Sequence, residues 1–202
     1  MNLTILKRST ALLGASLLTA AGLGLAATTP ANAATHTCHG LAATIVGSNG
    51  SDEIEGTRGR DVIVGLGGHD EIDGNGGNDV ICGNAGADEI DGGGGNDWLH
   101  GGDGNDDIDG DSGKDIVYGS SGHDDLEGSS GRDRIDGGSG HDHLEGGSAG
   151  DSLYGKAGRD LLEGGTGSDR LGGGSGDDTT FQRAASDRAE DAWERQNRGD
   201  DD

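Results

Sequence analysis

Residues 101–110 read "GGDGNDDIDG". Asp103, Asp106, Asp107 and Asp109 crowd around glycines, and only Ile108 is apolar. In any compact state these carboxylates repel one another, so a chain that folds here must bring in something to hold them together. The arrangement recurs along most of the sequence. Laid out in nines from Gly47, residues 47–181 fall into fifteen rows without an insertion. Gly occupies position 1 and Asp position 6 in all fifteen rows. Position 4 is Gly in all but one, where Ala149 stands. Position 8 is Ile, Leu or Val in all but one, where Thr180 stands.

The phase has a physical reading. Positions 7–9 are three extended residues with one apolar side chain in the middle, a minimal strand with one inward residue. Positions 1–6 carry two fixed glycines, which suits a tight turn with φ > 0 or close backbone approach. Strand and turn repeat together, so the chain winds into a coil in which two of each, eighteen residues, complete a circuit. Ala149, standing where every other turn has Gly, is expected to strain the turn of repeat twelve.

Composition alone describes a flexible acidic chain. Apolar residues make up 29% of the 202 and aromatics 2%, while Gly accounts for 45; such a chain cannot build a thick core. The formal charge of −24 excludes nucleic acid as a partner, since the phosphates would be repelled, and favours cations.

Residues 1–33 read as a secretory signal peptide. Lys7 and Arg8 precede a short apolar run broken by Gly, Ser and Thr, and "ANA" at 31–33 supplies the small residues of a cleavage site. Loss of Lys7 and Arg8 takes the formal charge from −24 to −26. No second apolar span appears, so no membrane span is expected after cleavage. Residues 34–46 read as an N-terminal cap, 47–181 as the repeat domain, and 182–202 as an acidic C-terminal tail or cap. In that last segment Asp187 and Glu190 could open a short helix, and Trp193 either packs over the end of the coil or frays with the tail.

The repeat matches the nonapeptide GGxGxDxUx, and the chain thereby resembles the RTX family of calcium-binding parallel β-rolls over about two thirds of its length. The resemblance implies an all-β, right-handed parallel β-roll, a β-solenoid of fifteen nonapeptide repeats with two per coil. It also implies Ca²⁺ held between neighbouring coils by position-6 carboxylates and turn carbonyls, the oxygen ligands that a hard cation takes. The ligand aspartates would be Asp52, Asp61, Asp70, Asp79, Asp88, Asp97, Asp106, Asp115, Asp124, Asp133, Asp142, Asp151, Asp160, Asp169 and Asp178. Fifteen turns give thirteen pairs one coil apart, hence up to about 13 ions, on a scale that neutralises the charge. Two departures stand out. Many RTX proteins leave the cell through an uncleaved C-terminal signal, whereas this chain has an N-terminal one. Many also carry a toxin, protease or lipase domain, and almost nothing here lies outside the repeats.

The outward positions differ between alternate repeats. In the first, third, fifth and seventh they are acidic, from Glu53 and Glu55 to Asp107 and Asp109. In the second, fourth, sixth and eighth they are mostly apolar: Val62 and Val64, Val80 and Cys82, Trp98 and His100, Ile116 and Tyr118. Consecutive strands face opposite sides, so one side carries an apolar stripe that something should cover. Residues 38–46, "CHGLAATIV", look like a repeat with Ala43 in place of the Asp and Ile45 at position 8. Placed beside the stripe, this segment brings Cys38 within reach of Cys82, and the reading expects a disulfide that pins the cap. Free cysteines, or a stripe reserved for a partner or a second copy, are the alternatives.

The expected function is that of a secreted, extracellular calcium-binding protein that folds on binding Ca²⁺. Its role is structural or surface-interacting, toward a cell-surface or extracellular polymer partner. The alternative is an accessory module of an extracellular hydrolase or an adhesin. No enzyme is expected: there is no nucleophile elbow, no HExxH and no acid pair outside the repeat phase. His141 and His143 point outward without an evident third partner. Ice binding would want a row of outward Thr, and Thr57, Thr166, Thr179 and Thr180 form none.

Overall fold

A computed structural model describes residues 36–182; the leader at 1–33 and the tail residues Asp187, Glu190 and Trp193 lie outside the described residues. One large apolar side chain per row is too little for a layered core. Such side chains leave water only by stacking on their counterparts in neighbouring rows. The chain does this as an all-β parallel β-solenoid of about eight turns, with no helix among the described residues. The position-8 residues from Ile54 to Leu162 form one buried file, and Ile45 and Leu171 are partly buried at its ends.

Two eight-stranded parallel sheets line this file on opposite sides. One runs from Ile45–Val46 through Val62–Gly67, Val80–Ala85 and Trp98–Asp103 to Arg170–Ser175, and the other from Glu53–Glu55 through Asp107–Asp109 to Thr179–Phe181. Partners lie eighteen residues apart, as in Leu99 with Val117 and Ile108 with Leu126, so equivalent side chains of successive coils stack directly. The strands of the second sheet are the three residues the repeat predicts. Those of the first run on into the following turn, as in Trp98–Asp103 and Arg134–Gly140. A third ladder of Gly94–Gly95, Ser112–Gly113 and Ser130–Gly131 ties the remaining turns together. The turns are therefore hydrogen-bonded coil to coil, like the strands.

Glycine does two different jobs in these turns. At position 1 it gives space: a methyl group on Gly74 would stand 2.7 Å from the Gly92 carbonyl oxygen and 3.2 Å from Oδ2 of Asp79. The left-handed backbone falls instead at positions 2 and 4. At position 2 it is adopted even by Leu66 (φ 85°), Asn84 (78°) and Lys156 (80°). At position 4 glycine holds it, as at Gly104 (145°), and Ala149 is forced into it at 93°, as the sequence led us to expect.

Cys38 and Cys82 form a disulfide with Cα atoms 5.8 Å apart. Thr37–Cys38 and Leu41–Ala42 pair as a small antiparallel hairpin. Ile45–Val46 then enters the first sheet beside Ile63 and Val64. The cap buries Cys38 and Ala43 against Val62, Val64, Val80 and Cys82. It covers the stripe only in part. His39 reaches Trp98 with ring centroids 4.3 Å apart, but Ile116 in the next strand stays 36% exposed.

Candidate metal centre

Each position-6 aspartate ends a turn just before its strand, and the inward step of the backbone carries the carboxylate under the coil. The eleven carboxylates from Asp70 to Asp160 are only 1–2% exposed, and Asp61 is 6% exposed. Asp52, Asp169 and Asp178, at the two ends, are partly exposed. The fold thus brings the whole predicted set into two stacked files, one on each edge of the solenoid, with members eighteen residues apart.

The two oxygens of each carboxylate have different fates. From Asp70 to Asp178, Oδ1 accepts the main-chain N–H of the aspartate one coil earlier: Asp88 N–H to Asp106 at 3.0 Å, Asp97 N–H to Asp115 at 2.8 Å, Asp106 N–H to Asp124 at 3.0 Å. From Asp70 to Asp169, Oδ2 is buried with no hydrogen-bond partner. It lies over the position-1 glycine of its own repeat, as in Gly74 beneath Asp79. Burying one half-satisfied carboxylate costs kilocalories, and native proteins tolerate few such groups. An unbroken run of them is a donor set that calls for cations.

The electrostatics agree. Burial, with Asp124, Asp88 and Asp103 adding like charge, pushes Asp106 up to about 7 despite the amide bond from Asp88. Burial does the same to Asp115, also to about 7, and lifts Asp97, Asp133 and Asp142 to about 6. A carboxylate in this environment either takes a proton or sits beside a cation. Among the described residues no three His, Cys, Asp or Glu side chains converge on one point. The aspartates alone therefore do not make a site; the other oxygens have to be turn carbonyls. Those lie close by, since a methyl group on Gly92 would come within 3.2 Å of the Gly110 carbonyl. A set of hard oxygens from carboxylate and backbone fits Ca²⁺.

The histidines have partners that the sequence did not betray. His143 Nδ1 lies 2.8 Å from Oδ1 of Asp125, one coil earlier. His141 Nδ1 accepts the Arg159 N–H at 2.9 Å, and its ring stacks on His123. They form a ladder along the outside of the coil. The signal for such contacts is the interval of eighteen, which a scan for local motifs passes over.

A parallel β-solenoid whose turns carry files of half-satisfied buried carboxylates defines a cation-binding repeat protein. The chain matches the RTX calcium-binding nonapeptide repeat in four copies, over residues 46–81, 83–117, 118–152 and 145–180, and it belongs to that family. The repeat is a structural calcium-binding unit, not a catalytic one. No individual curated protein matches the chain.

Proposed function

We propose that this protein is a secreted calcium-binding β-roll that folds as its turns take up Ca²⁺, and that it then serves as a rigid structural or surface-interacting element. The run of partnerless Oδ2 atoms from Asp70 to Asp169 carries the reading. In it, the position-6 aspartates and the turn carbonyls hold the ions, and the thin apolar file cannot order the coil while those carboxylates repel one another. The leader sequence and the disulfide support export, because disulfides persist in oxidising compartments. The outer rows Glu53, Glu71, Glu89, Asp107 and Asp125 give one side of the roll a continuous acidic surface toward whatever it meets.

Equilibrium dialysis of the mature chain tests this. Several Ca²⁺ ions should bind per chain, with far weaker uptake of Mg²⁺, which demands a small octahedral site. A chain that takes up no Ca²⁺ at millimolar concentration contradicts the reading.

A further inference from the structure

The first two turns are built differently from the rest. In repeats one and two, Oδ2 of the position-6 aspartate has neutral donors. Asp52 Oδ2 accepts the Ser48 N–H at 2.6 Å and lies 2.9 Å from the Ser48 hydroxyl. Asp61 Oδ2 accepts the Thr57 N–H at 2.7 Å and lies 2.8 Å from the Thr57 hydroxyl. In each turn the same hydroxyl oxygen also accepts the position-4 amide, Gly50 N–H at 3.3 Å and Gly59 N–H at 3.1 Å. The hydroxyl thus fills the middle of the turn, between the carboxylate and the backbone.

The backbone follows suit. Positions 2 and 4 are left-handed from Leu66 and Gly68 onward, but Ser48, Thr57, Gly50 and Gly59 are not. Residue type alone does not set this, because Ser120 (φ 90°) and Ser129 (φ 60°) occupy position 2 in the left-handed form. There the hydroxyls turn away, toward His100 and toward Asp109 and Glu127. What distinguishes the first two turns is their place. Neither has a repeat turn one coil before it to set an aspartate amide on its Oδ1, as every turn from Asp70 to Asp178 has. The segment that stands in that place on one edge has Ala43 for the aspartate, and the Ala43 N–H donates to the His36 carbonyl. The Thr44 hydroxyl, 3.3 Å from Asp61 Oδ1, stands in for the missing amide.

We infer that Asp52 and Asp61 bind no ion: Ser48 and Thr57 close their turns, and the cation sites begin at Asp70. The inference rests on the reading of the aspartate file as the calcium site. It assigns ions to the thirteen turns from Asp70 to Asp178, each of which accepts an amide from the coil before it. The end of the roll that carries the disulfide is sealed by hydroxyls and so is ordered without metal of its own.

Ions per folded chain, counted by dialysis at saturating Ca²⁺, test this in three double variants. Asp52→Asn with Asp61→Asn should bind as many ions as the parent. Asp97→Asn with Asp106→Asn should bind fewer. Ser48→Ala with Thr57→Ala should keep the ion number while raising the Ca²⁺ concentration needed to fold. If the Asp52/Asp61 pair stays unfolded, the single Asp52→Asn, at a partly exposed position, carries the same comparison. A loss of ions from Asp52→Asn or from the Asp52/Asp61 pair overturns the inference and leaves calcium binding intact. A parent chain that binds no Ca²⁺ overturns the underlying reading, and the inference with it.

Discussion

The main-chain amide of Asp88 donates to Oδ1 of Asp106, 3.0 Å away and eighteen residues further along the chain. One carboxylate oxygen therefore belongs to the fold, while the other, Oδ2 of Asp106, is buried without a partner. The two roles can be separated by substitution.

Asp106→Asn keeps an oxygen for the Asp88 amide and removes the charge. The variant should still reach the folded spectrum in excess Ca²⁺ but with a higher midpoint, since an ion at tenfold over its Kd contributes about 1.4 kcal/mol. Asp106→Ala also strands the Asp88 N–H, at a further cost of about 1–3 kcal/mol. Parallel calcium titrations by circular dichroism check the order: parent, then Asn, then Ala. An Asn variant that titrates like the parent argues against an ion at Asp106.

Ala149 sits at φ 93°, where the glycines at the same position from Gly68 to Gly176 span 126–151°. The bond from the Gly131 N–H to the Ser148 carbonyl is 3.2 Å, against 2.9 Å for the equivalent bond from Gly122 to Ser139. Ala149→Gly should relieve about 1 kcal/mol of backbone strain, more than the unfolded chain gains in freedom from the new glycine. The calcium midpoint should fall. An unchanged or higher midpoint shows that the turn accommodates alanine freely.

Much of the fold was legible because its unit is local. Gly47 and Asp52 repeat in phase fifteen times and the apolar residue at the place of Ile54 fourteen times, and position 8 turned out to be the buried file. The disulfide was legible too, from the apolar stripe of Val62, Val64 and Val80 beside Cys82. What escaped was everything set by the next coil. The strand extension after Tyr118, the His143–Asp125 contact and the amide bond from Asp88 to Asp106 all join residues eighteen or more apart. Within the turn, the sequence left open which fixed glycine serves close approach and which serves φ > 0, because both demand glycine; position 1 does the first and position 4 the second. Ser48 and Thr57 look like ordinary variation at position 2 until their hydroxyls are seen against Asp52 and Asp61.

The disulfide closes a loop of 44 residues across the cap and the first coils. By chain entropy a loop of that size stabilises by about 4 kcal/mol. Cys38→Ser with Cys82→Ser should raise the calcium midpoint and lower Tm in saturating Ca²⁺. Spectra with and without reductant give the same comparison on the parent chain. Identical curves show that the Val62–Val80 cluster holds the cap unaided.

Protons should partly replace cations. Asp106 and Asp115 are raised to about 7 in the folded roll, above the ordinary carboxylate value of about 3.9. The folded state therefore holds more protons than the unfolded state between those values, and metal-free stability falls as pH rises across that window. In EGTA, β-structure should be greater near pH 4 than near pH 8, at concentrations low enough to keep the chain dispersed. A metal-free chain that is more ordered at the higher pH contradicts this.

Whether calcium creates the fold is decided by far-UV circular dichroism of the chain lacking residues 1–33, followed through a calcium titration near neutral pH. The spectrum should be largely unfolded in excess EGTA and should gain β-signal cooperatively with Ca²⁺, with no comparable rise in Mg²⁺. A chain already β-rich in excess EGTA at that pH, and unchanged by Ca²⁺, would contradict calcium-driven folding.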